Sequence, residues 1–160
     1  MDWSALHFHL MLNHIPVLGT VAAALVLVWG VLRKSAEITS LGLTATAIIA
    51  LLTVPVYLTG EPAEDRLREL DRSVDRRLIH QHEEKAEVGF IAVLITGAVA
   101  IGALWRGRRG AAGRGLPLLV CAGLLISFGL FASAAIEGGE IRHPELRPDH
   151  GVAPPAPLPR

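Results

Sequence analysis

The sequence predicts an all-α fold: a bundle of four transmembrane helices, with a short amphipathic surface helix between spans two and three. Three observations carry this. Half of the residues are apolar, 51%, yet only 5% are aromatic. The apolar residues are Leu, Ala, Val and Ile gathered into long runs. Four of those runs reach the roughly 20 residues needed to cross the hydrocarbon of a bilayer.

The first run, 6–32, opens on "LHFHLMLNHIPVLGT". Asp2 stands where a signal peptide carries basic residues, so the run is expected to be a retained span. It is longer than the hydrocarbon requires. Residues 3–12 then stand in the interface, anchored by Trp3, with His14 at the boundary. The second run is 39–59, the third 86–105 and the fourth 116–136. Pro16 and Pro55 lie inside spans, where each removes a backbone donor and is expected to bend its helix.

Between spans two and three, "EPAEDRLRELDRSVDRRLIHQ" spaces Leu67, Leu70, Val74 and Leu78 by three or four. That is a helical stripe resting on the membrane surface with its charges in water. Residues 1–143 form one membrane domain, and 144–160, ending "APPAPLPR", a Pro-rich tail of irregular structure.

The connecting segments differ in chemistry. "RKSAEI" (33–38) and "RGRRGAAGRG" (106–115) carry Arg33 and Lys34, then Arg106, Arg108, Arg109 and Arg114, against the single acid Glu37. With four spans, all seven histidines fall at the other end: His7, His9, His14, His80, His82, His143 and His150. So do the acids other than Glu37, with Glu87 just inside the third span. Dense basic loops favour the cytoplasm, which places both termini and the His/Glu face outside a bacterial inner membrane. The raw count of Lys and Arg points the other way, because Arg66 to Lys85 and the tail together hold nine.

Each helix brings candidate ligands to a similar height: His14, Glu61, then His82 and Glu83, then Glu137, Glu140 and His143. Imidazoles and carboxylates from several helices are how bundles build metal sites. His82 continues into Ala86, Gly89, Val93, Gly97 and Ala100, small residues that mark a packing face. Thr46, Ala50, Thr53, Tyr57 and Glu61 form a similar stripe. Glu140 and His143 stand three apart, a spacing shared with carboxylate-bridged di-iron bundles. The bland readings are equally concrete. His14 can bond a carbonyl freed by Pro16, and Glu61 and Glu64 can complement a helix N-terminus. Glu83 and Glu84 can pair with Arg76 and Arg77 in water.

"LNHIPVLGT", "VYLTGEPAED", "HQHEEKAEVG" and "GGEIRHPE" resemble segments of small, uncharacterised bacterial four-helix integral membrane proteins. The resemblance spans about residues 5–145. It implies the fold and the membrane location, and no activity.

Three functional readings follow. The first is a transition-metal site of iron, zinc or copper, with His14, His82 and His143 as nitrogen donors and Glu61, Glu83, Glu137 or Glu140 as oxygen donors, serving either a redox role or small-molecule handling at the membrane surface. The second is a membrane cytochrome for electron transport, holding haem b between His14 and His82. The third is a non-catalytic subunit or assembly factor of a membrane complex. The partner common to all three is the lipid bilayer, alone, as a homo-oligomer or in a larger complex. The zero formal charge gives no footprint for nucleic acid. No nucleophile elbow, dinucleotide fingerprint or CxxC is present. Whether the protein is an enzyme is left open by the sequence.

Overall fold

The computed structural model describes residues 5–71, 74–110 and 113–147. Trp3, His150 and the tail beyond Arg147 lie outside the described residues. The chain is helical in α1 (Ala5–Leu12), α2 (His14–Leu32), α3 (Ala36–Leu58), α4 (Gly60–Leu70), α5 (Arg76–Arg108) and α6 (Gly115–Arg142). A short 3-10 turn, Pro144–Leu146, follows. Four stretches are long and apolar enough to cross a membrane: Ala5–Leu32, Ala36–Leu70, Arg76–Arg108 and Gly115–Ile141.

The four long helices pack as a ring. α2 lies against α3 and α6, and α5 lies against α3 and α6. α1 packs mainly on α4. The outer surface carries Leu18, Leu25, Leu51, Ile95 and Leu125, each more than 60% exposed. Such a coat suits lipid rather than water, and with the four spans it describes an integral membrane protein.

The α2–α3 hairpin shows how the sequence closes a turn. Lys34 adopts the left-handed region at φ 54°. Its N–H donates to Val31 O at 3.2 Å, and Ser35 N–H donates to Gly30 O at 3.0 Å. This pair of bonds satisfies the last carbonyls of α2. Ser35 then starts α3, its hydroxyl accepting from Ile38 N–H at 3.3 Å.

Below the turn the backbones meet closely. A Cβ on Gly30 would stand 2.5 Å from Thr39 N, and one on Gly42 2.7 Å from Leu27 Cα. On the α3–α5 side, a Cβ on Gly97 would stand 2.5 Å from that of Ala50. In lipid, where no hydrophobic force separates helix from surroundings, such close approach supplies the dispersion contact that holds helices together. The larger core cluster lies in the half next to the α2–α3 turn: Ala23, Ala24, Leu27, Leu43, Ala100, Ala103, Val120, Cys121 and Leu124. The other half has the small cluster Ala50, Val93 and Phe131.

Several local expectations change. The first span is not one regular helix, since Asn13 interrupts it and α2 starts at His14. The break falls before Pro16, whose carbonyl accepts the Thr20 hydroxyl at 2.7 Å. The stripe Leu67–Leu78 does not form one continuous helix. α4 ends at Leu70, and α5 begins at Arg76, where Asp75 accepts from Arg77 N–H at 2.8 Å. Leu67 is buried, whereas Leu70 is 64% exposed. α6 runs through Gly138 and Gly139 to Arg142, beyond the fourth span expected over 116–136.

Candidate functional site

The His/Glu end is built by helices that outrun the apolar zone. At 33 residues, α5 is about 50 Å long against about 30 Å of hydrocarbon. Its first turns therefore stand beyond the apolar zone and carry His82, Glu83 and Lys85. α6 reaches the same level with Ala134, Glu137 and Gly138.

His82 lies against α6. Its Nδ1–H donates to Ala134 O at 2.7 Å. The ring fits because Gly138 has no side chain, since a Cβ there would stand 3.2 Å from two atoms of the imidazole. His9, on α1, makes a comparable bond to the end of α3. Its Nδ1–H lies 3.2 Å from Val56 O and 3.3 Å from Thr59 Oγ1. A carbonyl only accepts, so in both rings Nδ1 carries a proton, and in the neutral ring Nε2 is the nitrogen with the lone pair. His9 and His82 are close enough for the charge of one to act on the other.

The carboxylates at this end are tied between helices. Glu137 pairs with Lys85 of α5, and its second oxygen is buried without a hydrogen-bond partner. Glu64 of α4 is 11% exposed and pairs with Arg68 one turn on. Arg68 reaches Glu64 Oε1 as an ion-pair partner but outside hydrogen-bonding geometry, so this buried oxygen stays unsatisfied. Glu64 also lies beside the Glu83 side chain of α5, close enough for the two carboxyls to act on each other. Burial first, and then the Glu83 carboxyl, push Glu64 up from 4.5 to about 7. Asn13 Oδ1, at the α1–α2 break, is likewise buried without a hydrogen bond. Tyr57 and Phe90 stack at 4.2 Å between ring centres, joining α3 to α5.

The other predicted ligands are exposed or half-buried. His14 is exposed beside an open apolar groove of about 390 Å³ lined by Ile15, Leu18, Gly19, Ala22 and Ile49. Glu61 is exposed. His143 is exposed and bonds Glu145 at 3.0 Å. Glu140 is half-buried, and its backbone carbonyl accepts from Arg147 Nε at 3.0 Å. Among the described residues no three His, Cys, Asp or Glu side chains come together as a ready-made metal site.

Sequence reasoning did not single out His9, Glu64 or Lys85 as residues that reach another helix. Glu64 had a signal, because it extends the stripe Thr53, Tyr57 and Glu61 by three more positions. Lys85 had one as well, standing one turn before the small face residue Gly89. His9 had none, because its acceptors Val56 and Thr59 belong to a helix whose docking on α1 no spacing reveals.

No family model matches the chain, and neither does any curated protein or solved structure.

Proposed function

We propose that this integral membrane protein binds a transition-metal ion at its His/Glu end, with His9 and His82 as nitrogen donors. One observation carries the reading. Two imidazoles on different helices each give Nδ1–H to a backbone carbonyl and keep Nε2 free. A backbone acceptor on the far nitrogen is the usual outer support of a ligating histidine, because it fixes both the tautomer and the ring direction. Glu83, Glu64 and Glu137 stand at the same end as candidate oxygen donors. Nitrogen and carboxylate donors suit iron, zinc or copper(II). In this reading α4 lies along the membrane surface, and the site faces outward from a bacterial inner membrane.

Haem b is the second reading. What favours it is the number of inward-held imidazoles, since two is the number of axial ligands a membrane cytochrome takes.

The test is the protein purified in detergent without added chelator, measured by elemental analysis and visible absorption. Bound metal without a Soret band supports the ion, and a Soret band supports haem. In either case His9→Ala and His82→Ala should lose at least tenfold in cofactor content, while His143→Ala keeps it. A protein free of metal and haem after expression in metal- and haem-replete medium sinks both readings. Cofactor content unchanged in the His9→Ala/His82→Ala double variant does the same.

A further inference from the structure

The opposite end of the bundle repeats one arrangement on two turns. In "WGVLR" Trp29 precedes Arg33 by four residues, and in "WRGRR" Trp105 precedes Arg109 by four. Four residues is one helical turn, so each arginine lies over the tryptophan before it. The guanidinium carbons stand 5.6 Å and 3.7 Å from the indole ring centres. Both indoles are outward, 56% and 55% exposed, on helices whose outer faces are apolar. Lys34, Arg106, Arg108 and Arg114 are exposed on the same two turns. Among the described residues none of these six cations makes an ion pair.

We infer that this end is a docking surface for acidic phospholipid headgroups, with Arg33 and Arg109 as the main phosphate donors. An exposed tryptophan at the end of a spanning helix sits at headgroup depth. Stacking occupies only the face of the guanidinium. Its in-plane N–H groups stay free, and that edge matches two phosphate oxygens at once. The indoles thus hold the two guanidinium groups beside the lipid phosphates instead of letting them extend into water. The four remaining cations add charge opposed only by Glu37 among the described residues of these turns, which attracts an anionic leaflet. The inference needs the chain to span a bilayer but is independent of any metal at the other end.

The test uses the full-length protein in nanodiscs of phosphatidylcholine containing a minor fraction of phosphatidylglycerol, with lipid retention read by native mass spectrometry. Wild type should retain phosphatidylglycerol in preference to phosphatidylcholine. R33Q and R109Q should each weaken that retention about fivefold, and the double variant more. R76Q/R77Q, which removes two cations from the opposite end, should leave it unchanged. The substituted side chains are exposed, and an unaltered thermal midpoint in each variant shows that the fold is intact. Three outcomes overturn the inference: equal retention of both lipids, equal loss in R76Q/R77Q and R33Q/R109Q, or displacement of the lipid by millimolar inorganic phosphate.

Discussion

The two ends of the bundle are held together by different physics. At the basic end helices meet through backbone contact and a continuous apolar cluster, while the charges point outward and take no part in joining helices. Gly30 and Gly42 let α2 and α3 touch, and Leu27, Val120 and Leu124 fill the space between. At the His/Glu end the apolar cluster shrinks to Ala50, Val93 and Phe131. There helices are joined by His82 to Ala134 O, His9 to Val56 O, Lys85 to Glu137 and Glu64 to Glu83. One end depends on shape and the other on polar partners, so the two should fail under different perturbations.

The largest break is expected at the basic end. Gly42→Val would drive a branched side chain into the Leu27 backbone, which has no flexible atom to yield. Overpacking costs about 1–3 kcal/mol, and a clash with backbone falls at the upper end. Thermal unfolding in detergent should show a large drop in midpoint that is the same at pH 5 and pH 8. A drop of that size confined to one pH would remove the distinction between the ends.

The next effect belongs to the polar end and depends on acidity. Glu64 is raised from 4.5 to about 7 in the folded chain, so the fold binds this proton more tightly than the unfolded chain does. Its contribution is complete below about pH 4.5, declines as pH rises from there to about 7, and is absent above. Glu64→Gln keeps the shape and a donor for Glu83 but cannot ionise. Its unfolding midpoint should stay flat where that of wild type falls, and should exceed wild type at pH 8. Parallel pH profiles would show that the carboxyl pair does not link α4 to α5.

A smaller effect follows from Lys85→Met, which strips the partner from a Glu137 side chain that is 14% exposed. Leaving that carboxylate alone costs about 2 kcal/mol, and adding Glu137→Gln should restore part of it. A double-mutant cycle with no coupling would mean that the pair is screened by solvent.

The difference between the ends also explains what could be read from sequence. The spans were legible because hydrocarbon thickness sets their length. The packing face of α5 was legible too, since Gly89, Val93, Gly97 and Ala100 follow helical spacing and are all buried. The polar end was legible only in composition. Its histidine bonds join residues far apart in the chain, 47 positions for His9 and Val56 and 52 for His82 and Ala134. Helical periodicity stops at the end of a helix and carries nothing about which carbonyl lies across the gap. The gathering of donors on one side was therefore visible, whereas the choice of His9, Glu64 and Lys85 as the residues that reach another helix was not.

The hydroxyls inside the spans lead to a different conclusion, about biogenesis. Thr20, Thr46, Thr53, Thr96 and Ser127 each donate to the carbonyl four residues earlier in their own helix, at 2.7 to 2.8 Å. None of these five depends on a neighbouring span for its hydrogen bond. Each segment can therefore leave the translocation machinery and enter lipid as a self-sufficient rod, with lateral association following afterwards.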